Sequence, residues 1–104
     1  GEVYQQFTVG LTNGTNDYVM TDQNEMNVYP NPTDGHIFID LNLTKKQDGI
    51  VQIYDLLGNV VYAYEFQSST AESVEADLSF LTPGMYLVTM TTDEERITKK
   101  LLIN

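Results

Sequence analysis

The chain has no cysteine and no tryptophan, and it has a single histidine. Without cysteine neither a disulfide framework nor a thiolate metal site can form. The compartment stays open, because a secreted domain with a sufficient core needs no bridges. His36 follows a turn and has no motif around it, so it reads as an exposed residue at the start of a strand. No G-x-S-x-G elbow, phosphate-cradling glycine pattern or EF-hand loop is present, so neither an enzyme nor a cofactor is expected. Asn13, Asn16 and Asp17 offer oxygen donors, but in what reads as a plain polar loop. Bases are scarce: 5 against 15 acids, for a net charge of −10. Such a surface repels phosphate backbones, which argues against a nucleic-acid partner. No apolar run approaches the roughly 20 residues of a membrane helix, and no N-terminal signal peptide is visible. The chain opens with Gly1 where a complete protein has Met, so it is expected to be a piece of a longer precursor.

Helical periodicity is also missing, and alternation takes its place. Ile37, Ile39, Leu41 and Leu43 share one face of His36–Leu43. Val60, Tyr62, Tyr64 and Phe66 share another, which reads as core, and Val74, Ala76 and Leu78 a third. Tyr86, Val88 and Met90 alternate after a Pro-Gly corner, and Ile97, Lys99, Leu101 and Ile103 alternate to the last residues. With Met26–Tyr29 and Ile50–Tyr54 this makes about seven short strands separated by turn residues. The expected fold is all-β: an Ig-like antiparallel β-sandwich in which each sheet wets one face. One hundred and four residues suffice for one such domain with its own core.

Residues 1–25 read differently. They carry four acids and no base, and 11–25 is rich in Asn, Thr, Gly and Asp. We take 1–25 as a linker or the end of an upstream region, and 26–104 as the folded domain. Val3–Val9 reads as a strand, either the end of what precedes or an addition to the sandwich edge. Tyr18–Met20 reads as a weak strand within the linker.

Three turns and one strand carry the informative residues. Pro30-x-Pro32-x-x-Gly35 stops a strand and reverses the chain, with Gly35 at a positive-φ position. In the Tyr54–Asn59 turn, Asp55 is placed to accept from backbone amides and Gly58 to close the hairpin, with Leu56 and Leu57 at the tip. Leu81-Thr82-Pro83-Gly84-Met85-Tyr86 looks like an Ig corner, where a tyrosine hydroxyl bonds back to upstream backbone. The last nine residues hold Arg96, Lys99 and Lys100 and no acid. Alternation sends Lys99 and Lys100 to opposite faces, so only one is expected on the solvent face. Lysines on an edge strand also guard against aggregation, and a free edge is what β-augmentation uses.

These four signals, in this order over residues 26–104, resemble the C-terminal sorting domain of cargo proteins exported by the type IX (Por) secretion system of Bacteroidota. The family's hallmark positions correspond to Pro30, Pro32 and Gly35, to Gly84 and Tyr86, and to Lys100, Leu101, Leu102 and Ile103. The resemblance implies a non-catalytic address label. It implies passage through the periplasm and partners in the outer-membrane translocon and its shuttle proteins. It further implies cleavage by a cell-surface sortase within residues 10–25, and cargo attached at the surface or secreted. The rival expectation is an Ig-like adhesion or carbohydrate-binding module, for which seven tyrosines offer stacking surface.

Overall fold

The structure, a computed structural model, describes residues 23–104. The strand readings at Val3–Val9 and Tyr18–Met20, and the candidate ligands Asn13, Asn16 and Asp17, lie outside the described residues. Among the described residues there are strands and turns and no helix. The strands are β1 (Glu25–Tyr29), β2 (His36–Tyr54), β3 (Val60–Asp77), β4 (Gly84–Thr92) and β5 (Arg96–Ile103), all antiparallel.

There are five strands where the alternation suggested about seven. The seven apolar segments fall in these strands, except that Leu78 lies just past the end of β3, and two pairs of them are joined. His36–Leu43 and Ile50–Tyr54 are the two ends of β2, and the segments at Val60–Phe66 and Val74–Ala76 are the two ends of β3. The polar stretch from Thr44 to Asp48, which lies between two of the expected strands, keeps extended geometry. It does so through irregularities in pairing with β3, between Asn42 and Gln47 and again between Gln47 and Gly49. Bulges of this kind bend a strand without ending it.

The bend is large. Thr33, just ahead of β2, bridges Ile103, whereas Tyr54 at the far end of β2 pairs with Leu87 on the strand next to Ile103. A straight strand of 19 residues spans roughly 60 Å, so β2 must double back, and β3, paired to both its halves, follows it. The sheet thereby folds over into two layers. β1 and the second half of β3 flank the first half of β2, and β4 and the first half of β3 flank its second half, with β5 outside β4. Gly49 sits in the bend with no room for a side chain. A Cβ there would lie 2.5 Å from Phe66 Cζ and 2.8 Å from the Thr91 carbonyl oxygen.

One core fills the space between. Ile37, Ile39, Leu41, Val74 and Ala76 from the first layer meet Val51, Ile53, Val88, Met90, Leu101 and Ile103 from the second. Phe66 is buried, and Tyr62 and Tyr64 are half-buried against the cluster. At the bend end, buried Asn24 ties three segments together. Its side chain accepts from the Thr44 amide (2.9 Å) and the Gln47 side chain (3.2 Å) and donates to Glu95 (2.9 Å). Lys45 and Glu94 pair across the same end at 2.6 Å. The Asp93–Glu95 tip of the β4–β5 hairpin is exposed.

One expectation is corrected. Lys99 and Lys100 do occupy opposite faces of β5, but both are exposed. Lys99 shares the inward face with buried Leu101 and Ile103, yet β5 is an outer strand. A cleft of about 510 Å³ opens there between β5 and β1, with Val28, Asn27 and Lys99 on its walls. The inward face at Lys99 therefore reaches water.

Candidate functional site

The end of the fold opposite the bend gathers all four sequence signals. The Pro30–Gly35 turn leads into β2, Tyr54–Asn59 joins β2 to β3, Leu81–Gly84 opens β4, and Leu101–Ile103 closes β5. Register places Gly84 beside Ile103, Met85 beside Leu102 and Tyr86 beside Leu101.

The contact that unites the first signal with the last is made by residues the sequence reading passed over. Asn31, between the two prolines, donates from its side-chain amide to the Lys100 carbonyl (2.8 Å) and accepts from the Leu102 amide (3.0 Å). That is the hydrogen-bond pattern of a neighbouring strand, supplied by one side chain. Thr33 continues it: its amide donates to the Leu102 carbonyl (3.0 Å) and its carbonyl accepts from the Asn104 amide (2.8 Å). The Thr33 hydroxyl donates to the His36 carbonyl and accepts from the Gly35 amide, so Thr33 is buried and fully engaged. Both prolines are exposed and follow cis peptide bonds. Gly35 is buried at φ +125°, and its carbonyl accepts from Leu78 at 2.7 Å. The turn thus seals the edge of β5 from the Lys100 carbonyl onward. The available signal was an Asx residue fixed by flanking prolines, since such side chains readily stand in for backbone.

The hallmark positions divide by exposure. Tyr86 is buried, and its hydroxyl donates to the Thr82 carbonyl at 2.6 Å, the corner anticipated from sequence. Leu101 and Ile103 are buried, whereas Lys100 and Leu102 face outward. Leu102 shares the outer face with Met85, and the tip residues Leu56 and Leu57 stand 67% and 89% exposed at the same end. In that tip Asp55 Oδ1 accepts from the Leu57 and Asn59 amides, both at 2.9 Å, and Gly58 has φ +90°. These bonds, Asn59's foremost, hold the Asp55 carboxyl below its ordinary 3.8. His36 is exposed and bonded to Glu75. Among the described residues no cluster of three or more His, Asp or Glu could hold a metal ion.

Because the folded carboxyl is the stronger acid, its contribution is fully present above the unfolded value and is lost as pH falls through the folded one. The Leu57 and Asn59 amide resonances are accordingly expected to titrate with a midpoint under 3.8. A midpoint at or above that value in an NMR titration overturns this account of the turn.

A family profile described as the secretion system C-terminal sorting domain matches residues 27–104. The chain belongs to this family. The match begins within β1 and takes in every later strand and turn. No curated protein matches the chain at a significant level. The sorting domain is a type IX secretion signal, and the protein that carries it is marked for export to the cell surface or for secretion. Such a signal acts by being bound by the secretion machinery. The fold accordingly holds some of its hallmark side chains in the core and presents others to solvent.

Proposed function

We propose that residues 26–104 form an Ig-like, non-catalytic label that directs an attached cargo through the type IX outer-membrane translocon. The cargo reaches the periplasm, where translocon and shuttle proteins grip the turn end and the outer strand of this domain. A cell-surface sortase then cuts within residues 10–25 and leaves the cargo at the surface. The observation that carries this reading, beyond family membership, is the meeting of the Pro30–Gly35 turn with β5 through Asn31 and Thr33. Signals far apart in sequence thereby become one continuous surface displaying Pro30, Pro32, Lys100 and Leu102. Buried Gly35, Tyr86, Leu101 and Ile103, with half-buried Gly84, serve the reading by building that surface.

The adhesion or glycan-binding alternative draws less support. Tyr29, Tyr54, Tyr64 and Tyr86 each commit the hydroxyl to an internal partner, and Tyr29 stacks on Phe38 with ring centroids 5.6 Å apart.

The test is a periplasmic reporter fused to the whole chain in a type IX-competent cell, with surface exposure read by protease accessibility. Most of the reporter is expected outside. Deleting Lys100–Asn104 is a poor control, because it removes two core side chains as well as the surface. The informative variant is Lys99→Glu with Lys100→Glu, whose fold is checked by circular dichroism. It should keep the fold and retain the reporter in the periplasm. Unchanged export removes the lysines from the mechanism. Failure of the parent fusion in a competent cell removes the label reading.

A further inference from the structure

The outer edge of β5 is sealed over only half its length. The β4–β5 ladder is regular from Gly84–Ile103 to Thr91–Arg96, and the Leu102 backbone groups point away from β4 toward the Pro30–Gly35 turn. Alternation in an antiparallel ladder then turns the backbone groups of Arg96, Thr98 and Lys100 the same way. Asn31 takes the Lys100 carbonyl. Among the described residues, the N–H and C=O of Thr98 and the N–H of Lys100 meet no partner at this edge. The cleft between β5 and β1 runs beside this open stretch. A second hollow of about 490 Å³, lined by Ile97 and Met26, continues it on the far side of Lys99.

We propose that the Arg96–Lys100 edge is a docking strand for an extended acidic segment of a partner protein, which adds to the sheet beside β5. The proposal deepens the export reading and rests on it for the partner's role, though binding itself is measurable without export.

Charge argues for the occupant. The chain carries −10 overall, yet three of its five bases lie on β5. Among the described residues the ion pairs are His36–Glu75 and Lys45–Glu94, and neither involves a β5 lysine. Lys99 points into the cleft and Lys100 to the outer face, so an added strand with carboxylates on both faces meets one lysine on each. Directly opposed pairs of this kind sit about 4.5–5.5 Å apart at Cβ and are favourable for opposite charges. Acids also line the hollows, Asp40 the first and Glu25 and Glu95 the second, so the attraction rests on the β5 bases themselves, which sit nearer the open edge. A second copy of this chain is the poorer occupant. Two-fold pairing about Thr98 sets Arg96 of each copy opposite Lys100 of the other, which places like charges face to face.

The experiment titrates the full chain, isotope-labelled for NMR, with an eight-residue peptide repeating Glu-Glu-Val-Val, which carries carboxylates on both faces of an extended strand, and with its Lys-Lys-Val-Val counterpart. The acidic peptide is expected to bind, to protect the Thr98 and Lys100 amides from exchange, and to weaken as salt is raised. Lys99→Glu with Lys100→Glu should lower its affinity about tenfold or more. Thr98→Pro removes an outward N–H that the β4 ladder does not use, and proline is tolerated on edge strands. That variant should fold and lose the peptide. Equal binding of the basic peptide, absence of protection at Thr98 and Lys100, or full affinity in a folded Thr98→Pro chain each overturns the proposal. If the peptide binds as expected while the reporter fusion stays in the periplasm, the export reading fails and this one stands. If Thr98→Pro is exported normally, the edge is not what the machinery holds.

Discussion

Replacing Gly35 with valine is expected to cost the domain about 3 kcal/mol or more of stability, enough to leave a substantial unfolded fraction in a marginally stable domain. Two causes act together. At φ +125° a β-branched residue lies in backbone territory reserved for glycine. A Cβ at this position would also meet the Ser79 Cα at 3.0 Å and the Ser79 nitrogen at 3.1 Å, and both are backbone atoms that cannot swing aside. The chain would have to move the Pro30–Gly35 turn, and with it Asn31 and Thr33, off β5. The effect should therefore exceed local strain: amide exchange at Leu102 and Asn104, which donate to the turn, should quicken along with the global loss. Urea denaturation with residue-resolved exchange checks this. Gly58→Ala is the control, because its Cβ would meet nothing within 4 Å and only the positive φ is violated. A Gly35→Val chain as stable as Gly58→Ala would mean that the turn does not depend on its contact with Ser79.

This dependence marks the boundary of what could be read from residues alone. Strand positions were legible because period-2 alternation is a local property, imposed wherever one face of a strand is buried. Turn chemistry was legible for the same reason: Asp55 folds onto amides two and four residues away, and Tyr86 onto a carbonyl four residues back. What stayed hidden depends on contacts distant in sequence. Thr44–Asp48 carries no alternation, so nothing local distinguishes a loop from a bulged strand that doubles back. Lys99 obeys the alternation, and its exposure follows from β5 lying beside an open cleft, a fact of topology. Asn31 reaches across 69 and 71 positions to Lys100 and Leu102. The sequence placed the hallmark residues in four separate stretches; that the first and last are bonded to each other emerges only from the fold.

The same division yields the sharpest test of which hallmark residues act on the fold and which act on a partner. Leu101→Ala is expected to destabilise by about 2–5 kcal/mol, the range for truncating a buried leucine, because Leu101 is fully buried among Val88, Ile103 and their neighbours. Leu102→Ser, one position on, should cost less than about 1 kcal/mol, since that side chain is 37% exposed and its backbone bonds to Asn31 and Thr33 are untouched. In the reporter fusion both substitutions should reduce export, by different routes. Leu101→Ala acts by unfolding, so lowering the growth temperature should restore part of the surface signal. Leu102→Ser acts by removing an apolar contact beside Met85 from a folded surface, so temperature should not rescue it. Thermal unfolding of the two purified chains, set against export at two temperatures, separates the cases. A Leu102→Ser domain that folds normally and is exported normally would confine the terminal apolar run to core building, leaving the exposed prolines and lysines as the surface that partners read.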